Sequence, residues 1–347
     1  MLVSRYFGLF FLGLSTVLSG CTSLYERALE SKIREYADNS QWEGQDLFVY
    51  FGGTGVVDSD TRAGSSVAVV VEGEVYLFDC GPGSTRVLHQ GQVPVEWLTT
   101  VFFTHMHSDH FGDLGHLTMS SQLAGRTGPM RLFGPQGIQD LASGFQQAYA
   151  ADLAHRIAQH PDYLSTERGS YEVLEVDPDR GSQLLLEKGG LRIYAAPVNH
   201  HPVPEALAYR IEYAGRVVVI SGDTSYHPPL ATFARGADLL IHEAMDKELA
   251  QEMARAFHNQ GEERLGQLIL EAMPNHSSAA DAGRLAAESN VQQLILTHLS
   301  PPLLIPKWRR DVLRAAKKEF SGEVSLAEDG MLIALKPLSP HHTTQED

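Results

Sequence analysis

Thr104-His105-Met106-His107-Ser108-Asp109-His110 brings three imidazoles and a carboxylate together within six residues, directly after the apolar, β-type stretch Leu98 to Thr104. Neutral imidazole nitrogen and carboxylate oxygen are the donors that zinc takes in catalytic sites, and a loop leaving a strand can turn several of them toward one point. A single histidine at a strand end reads as packing. This density reads as a metal site.

The same design recurs where other apolar runs end. Asp79 follows Tyr76-Leu77-Phe78, His200 follows the run that starts at Leu191, Asp223 follows Val217 to Ser221, His242 follows Leu239 to Ile241, and His298 follows Leu294 to Thr297. Strand ends on one edge of a sheet share a crevice, the usual seat of catalytic groups. Taken singly, each is read equally well as a turn aspartate or a buried histidine. Taken together they point to one site.

The surrounding pattern is α/β. Short β-branched runs predict strands at Leu47 to Tyr50, Ser66 to Val71 and Val75 to Phe78, the last two joined by a Glu72-Gly73-Glu74 hairpin turn. A mostly helical stretch from Leu114 to Tyr163 is interrupted at Arg131-Leu132-Phe133. Strands return at Leu191 to Val198, Leu207 to Tyr213, Arg216 to Ser221, Leu239 to His242 and Val291 to Thr297. Ser278-x-x-Asp281 reads as the capping box of a helix reaching Glu288. Each half is a β-rich stretch followed by helices, with no fixed-length repeat.

At the N-terminus, Arg5 and the apolar Tyr6 to Leu18 form a targeting segment too short to span a bilayer comfortably. It ends in Leu18-Ser19-Gly20-Cys21, which resembles the lipobox of bacterial lipoproteins and implies a lipid anchor in the bilayer at Cys21; an ordinary cleaved signal or an uncleaved anchor with an incidental cysteine is the other reading. Thr22 after the cysteine, rather than Asp, implies the outer membrane of a Gram-negative cell, with the chain facing the periplasm. Residues 1–21 are then a signal peptide, 22–45 a polar tether or helix, 46–337 the catalytic domain and 338–347 a disordered tail. Two cysteines exclude a disulfide framework. A net charge of -16, with no basic stripe read against it, disfavours a phosphate-backbone partner.

His105-x-His107-x-Asp109-His110, Val198-Asn199-His200, Ser221-Gly222-Asp223-Thr224, His242-Glu243-Ala244, Asn275-His276-Ser277 and Thr297-His298 form a series similar to that of metallo-β-lactamase-fold hydrolases. More narrowly it resembles the branch shared by ribonuclease Z and bacterial arylsulfatases, over about Val49 to Leu335. The resemblance implies an α/β fold, a four-layer αβ/βα sandwich with two mixed sheets, and two divalent metal ions, zinc before manganese or iron. It also implies that His105, His107 and His200 hold one ion, that Asp109, His110 and His298 hold the other, and that Asp223 bridges them. His201 competes with His200 for its slot. Asp79 is expected to orient a ligand or close the loop. Asp109 takes a proton from the activated water, His276 protonates the leaving group, and Glu243 positions His276. Ser278 replaces the threonine of the His-Ser-Thr motif in ribonuclease Z and keeps its hydroxyl.

tRNA processing is the first substrate this resemblance suggests. The export signal, the acidic charge and the 22 residues between His200 and Asp223, too few for the tRNA-gripping arm of bacterial ribonuclease Z, stand against it. The expectation is therefore a small-ester hydrolase without a nucleic-acid partner: arylsulfatase-like first, phosphodiesterase next. Lactone or β-lactam hydrolysis and a non-catalytic metal-binding lipoprotein are the alternatives. Tyr149, Arg126 and His155 lie in the stretch expected to cover the site, as substrate contacts or as plain packing and surface residues. Cys80 reads as a small buried residue, and Gly52-Gly53-Thr54-Gly55 as a turn at the first strand.

Overall fold

The strand Leu47–Gly53 (β1) turns Leu47, Val49 and Phe51 to one side and Phe48 and Tyr50 to the other, and all five are buried. A strand apolar on both faces needs cover on both, and the computed structural model, which describes residues 19–57 and 59–338, supplies it as a second sheet on one side and helices on the other. The first sheet continues through β2 (Ser66–Val71), β3 (Glu74–Phe78), β4 (Leu98–Phe102), β5 (Met130–Gly134) and β6 (Tyr171–Glu175). The second holds β7 (Gln183–Lys188), β8 (Leu191–His200), β9 (Val203–Tyr213), β10 (Arg216–Ile220), β11 (Leu239–Met245), β12 (Gln293–Ser300) and β13 (Glu323–Leu326). A last strand, β14 (Leu332–Leu335), returns to pair with β1. The orders are β14-β1-β2-β3-β4-β5-β6 and β13-β12-β11-β10-β9-β8-β7, and each sheet mixes parallel and antiparallel pairs.

Three apolar layers follow from the alternation. Val49, Val69, Phe78, Ile193 and Ile241 fill the space between the sheets. Val70 and Leu77 pack with Leu117 and Ile138 of the helices Leu114–Ala124 and Ile138–Gln159. On the far side Leu240 and Leu294 pack with Leu285 and Val312 of the helices Ala279–Glu288 and Pro306–Glu319. This is the expected four-layer sandwich. Its two sheets meet near the site, where Leu207 N–H donates to Thr104 O at 2.8 Å and Tyr209 O–H to Phe103 O at 2.6 Å. β3, β4 and β5 run parallel in one sheet, and β10, β11 and β12 in the other, so each set presents its carboxyl ends at a single edge.

The predicted strands are present with small changes of bounds, and Arg131-Leu132-Phe133 belongs to β5. Four strands were not foreseen: β6, β7, β13 and β14. The tether reading of 22–45 also needs correction at its end. Trp42 is buried, its ring edge-on to Phe48 and Tyr50 and its Nε1–H donating to Gln92 O at 2.8 Å, so the packed unit begins before residue 46. Residues 19 to 37 form a helix, Ser19–Ala37. The leader up to residue 18, the side chain of Cys21 and the tail from residue 339 lie outside the described residues. Among the described residues no helix is long and apolar enough to cross a membrane.

Candidate metal centre

The loop after β4 is shaped by Asp79, which follows β3 with φ +59°. Its Oδ1 accepts from Thr104 N–H and its Oδ2 from Thr104 Oγ1–H, both at 2.8 Å, and Oδ2 also receives His110 Nδ1–H at 2.7 Å. That bond engages Nδ1–H, so Nε2 is the nitrogen His110 can turn toward a metal ion. Nε2 is buried, makes no hydrogen bond, and lies 3.5 Å from Asp223 Oδ2. The short helix Ser108–Phe111 carries Asp109 and His110 inward, while His107 at its start is exposed. Close backbone approach holds this loop down: a Cβ on Gly81 would sit 2.0 Å from Asp109 O.

The remaining donors come from strand ends. His200 closes β8, Asp223 follows β10 through Ser221-Gly222, and His298 lies in β12 with φ +47°. Gly222 has φ +60°, and a Cβ there would be 2.6 Å from Leu207 O, so the turn that delivers Asp223 requires glycine on both counts. Two donor groups result, His105 with His107 and His200, and Asp109 with His110 and His298, the atoms of each within 4.8 Å of one another. Asp223 Oδ2 stands between them, 3.9 Å from His105 Nε2 and from His200 Nε2, and 3.5 Å from His110 Nε2 and from His298 Nε2. His105 Nε2 is 3.0 Å from His107 Nδ1, and His298 Nε2 is 3.2 Å from Asp109 Oδ2.

These spacings fit metal. Donors about 2.0–2.1 Å from a tetrahedral zinc lie about 3.3 Å apart. The charges fit as well: Asp79, Asp109 and Asp223 are buried, and among the described residues no lysine or arginine pairs with any of them. Buried carboxylates require a positive partner. Burial, then the neighbouring His110, holds the His105 imidazole well below its ordinary pKa, and burial and His200 lower His107. Both rings are therefore neutral, as ligation demands. Burial would raise the Asp223 carboxyl, but His298, His110 and His105 together hold it well below the usual carboxylate range. Around His110 burial is outweighed by Asp223 and Asp79, which draw positive charge to that position.

Glu243, buried in β11, accepts through Oε1 from Ser277 N–H at 2.9 Å, Thr224 N–H at 3.2 Å and His276 Nδ1 at 3.3 Å. The His276 ring lies 5.0 Å from His200 and 5.9 Å from His298, centre to centre, at the rim of the donor groups. Burial lowers its pKa, but the Glu243 carboxylate beside it prevails and lifts it to about 9.

His105, His107, Asp109, His110, His200, Asp223 and His298 lie together, with His276 and Glu243 beside them. Of the competing pair, His200 is buried among the donors while His201 is exposed. His242, one of the strand-end candidates, is buried outside both donor groups, its Nδ1 2.7 Å from Glu243 O. Of the possible substrate contacts, Arg126 is buried and bonded to Ser121 Oγ and the carbonyls of Gly128 and Arg168, Tyr149 packs on Gly115, and His155 is exposed on the helix Ile138–Gln159. Cys80 is a fully buried free thiol, raised by burial, whose N–H donates to His110 O at 2.6 Å. Sequence reading gave no role to Thr104 or to Asn275, whose carbonyl lies 3.0 Å from His200 Nδ1. A hydroxyl beside the cluster and a backbone carbonyl carry no signal of their own.

Residues 74–299 match the family model described as the beta-lactamase superfamily domain. Ribonuclease Z of Mycolicibacterium paratuberculosis is 31% identical over 284 residues, covering 80% of this chain and 94% of that protein. Ribonuclease Z of Mycobacterium bovis is 30% identical, covering 82% and 96%. Among solved structures, the short form of human tRNase Z superposes with a TM-score of 0.60 at 25% identity, over 83% of this chain and 99% of that one. The metallo-β-lactamase fold protein YhfI from Bacillus subtilis gives 0.61 at 24% identity, a likeness of fold.

These relatives overturn the expectation of a small-ester, arylsulfatase-like hydrolase with tRNA processing set aside. The length between His200 and Asp223 does not separate the chain from ribonuclease Z, because proteins of that name are matched over nearly their whole length. Net charge does not separate them either, because it sums the whole surface and hides where the cations lie. The helix Pro306–Glu319 alone carries six of the 27 Lys and Arg residues against two acids. With the donor groups, the fold and the relatives in agreement, this chain is a member of the beta-lactamase superfamily, homologous over nearly its whole folded domain to ribonuclease Z.

Proposed function

We propose that the chain is a metal-dependent phosphodiesterase of the ribonuclease Z kind, cutting RNA, with tRNA precursors as the leading substrate. The observation that carries this reading is the match to ribonuclease Z proteins across 94% of their length, with the paired donor groups and the His276–Glu243 pair all inside the matched fold. Two divalent ions, zinc by donor chemistry, would be held by His105, His107 and His200 and by Asp109, His110 and His298, with Asp223 shared. Bound there, they supply an acidified water and neutralise charge on a phosphoryl group. Asp109, hydrogen-bonded to His298 at the edge of the second donor group, is placed to accept a proton from the attacking water. His276, held protonated by Glu243 at the rim of the donor groups, gives a proton to the departing oxygen. Ser277 fixes that arrangement from below, its N–H on Glu243 and its hydroxyl donating to Thr224 O at 2.7 Å.

The test is cleavage of a 3′-extended tRNA transcript and of bis(p-nitrophenyl) phosphate by the purified chain, with and without a chelator. A discrete cut in the transcript, lost on chelation and restored by zinc, is expected. Hydrolysis of the small diester with no cut in RNA at any salt concentration would remove ribonuclease Z activity from the reading. Export by the 1–21 leader with lipid attachment at Cys21 is a separate proposal, which would put any RNA substrate outside the cytoplasm, and palmitate labelling lost in Cys21→Ser is its expected signature.

A further inference from the structure

An acidic chain that cuts RNA needs a local cationic track, because affinity for nucleic acid comes mainly from neutralised phosphates. The helix Pro306–Glu319 has the form of one. At about 100° per residue, Lys307, Arg310, Arg314, Lys317 and Lys318 fall within an arc of about 100° and extend over about 16 Å. All five are exposed, while Val312 and Ala316 on the other side of the helix are buried in the core beneath the second sheet. Asp311 pairs with Lys307 at 2.6 Å and with Arg314 at 3.2 Å. Among the described residues, Arg310, Lys317 and Lys318 make no ion pair.

The helix is joined to the reacting centre by the chain and by a shared cleft. The helix follows the loop that leaves β12 just after His298, and it flanks a cleft of about 550 Å³ whose walls include Trp308, Lys307, Lys318, Met245 and Ser278. Ser278 is two residues from His276, and Met245 N–H donates to Ser277 O at 2.8 Å. The helix is also held rigidly: a Cβ on Gly283 would meet Ala316 O at 2.4 Å, so its backbone lies against the helix Ala279–Glu288 that Ser278 caps. The cleft is not wholly basic, since Asp246, Glu248 and Glu252 form its other wall. Lys307, Arg314 and Lys318 line this cleft beside those acids, whereas Arg310 and Lys317 lie outside it.

We propose that this face of the helix Pro306–Glu319 is the RNA-backbone dock, binding successive phosphates of the strand that enters the metal centre past His276. The inference rests on the ribonuclease reading above and adds where the substrate is held. The test compares the full chain, loaded with zinc, with the triple variant Arg310→Glu, Lys317→Glu, Lys318→Glu, none of which lies in the metal centre. The kinetics of the 3′-extended tRNA transcript are measured from 50 to 200 mM salt, with bis(p-nitrophenyl) phosphate as a second substrate.

A KM for RNA raised at least about tenfold at low salt, a log–log salt slope reduced by about two to three, and unchanged hydrolysis of the small diester are expected. Equal RNA kinetics and equal salt slopes in both proteins would overturn the dock while leaving the ribonuclease reading in place. A parent chain that hydrolyses the small diester but neither binds nor cuts RNA would remove both. In a Cys21→Ser background, loss of binding to phosphatidylglycerol vesicles with RNA kinetics intact would assign the stripe to a membrane surface and overturn the dock as well.

Discussion

Asp79 Oδ2 lies 2.7 Å from His110 Nδ1, and the same carboxylate holds both the backbone and the hydroxyl of Thr104, so one side chain sets the loop and the tautomer of a metal-site histidine together. Asp79→Asn isolates the second effect. Asn tolerates the left-handed backbone at this position and can still accept from Thr104 N–H, but its amide nitrogen would face His110 Nδ1–H, donor against donor. We expect metal affinity to fall about 10–100-fold with the far-ultraviolet dichroism unchanged. Competition against a chromophoric chelator measures it, and unchanged affinity would reduce Asp79 to a loop support.

His107 offers a cleaner deletion than its neighbours. It is exposed, whereas His105 and His110 are buried, so His107→Ala removes a donor without opening a cavity. The metal-free variant should unfold within about 0.5 kcal/mol of the metal-free parent, as surface substitutions do. Its bound metal and its hydrolysis of both RNA and small diesters should be lost together. Full activity with a reduced metal count would show that the His105, His107 and His200 group is dispensable.

The pH profile depends on Glu243. In the proposed mechanism His276 acts as an acid only while protonated, and its pKa is raised to about 9, so acid catalysis is expected at neutral pH and should decline as the pH rises through about 9. Glu243→Gln removes the charge that outweighs burial. The descending limb should then move down by about one to three pH units. The shift should appear with RNA, whose leaving oxygen is basic, and be absent with p-nitrophenyl esters, whose leaving group needs no proton. Equal movement with both substrates would remove His276 from the acid role.

How much of this was legible in the sequence depended on where each residue sits. The donors could be read because they follow apolar central strands, where burial on both faces leaves a continuous hydrophobic signal such as Leu294 to Thr297 before His298. β6, β7, β13 and β14 could not, and they are the four sheet edges. Tyr171–Glu175 and Gln183–Lys188 are half exposed and studded with glutamates and a lysine, the composition that guards an edge against further pairing and erases the strand pattern. tRNA processing was set aside partly through a whole-chain charge of -16, which averages away the cationic face at Arg310, Arg314 and Lys317. Tight backbone approaches, like those around Asp109, are invisible before the fold brings the segments together.

Gly81 makes that last point testable. It needs no unusual backbone angle, since its φ is not positive, so an alanine there meets only a problem of space: the new Cβ would stand 2.0 Å from Asp109 O and 2.4 Å from Gly64 C. Neither obstacle is a flexible side-chain end. Relief requires the loop carrying Asp109 and His110 to shift, so Gly81→Ala should cost about 1–3 kcal/mol of stability and also weaken metal binding. Gly144 is the matched control, an exposed glycine inside the helix Ile138–Gln159 with nothing within 4 Å of an added Cβ. Gly144→Ala should stabilise by about 0.5–1 kcal/mol through the helical preference of alanine and leave metal affinity alone. Urea unfolding and metal titration of the two variants separate a general effect of losing glycine from a specific displacement of the metal loop. A Gly81→Ala protein with parental metal affinity would mean that the loop around Asp109 can give way without disturbing its donors.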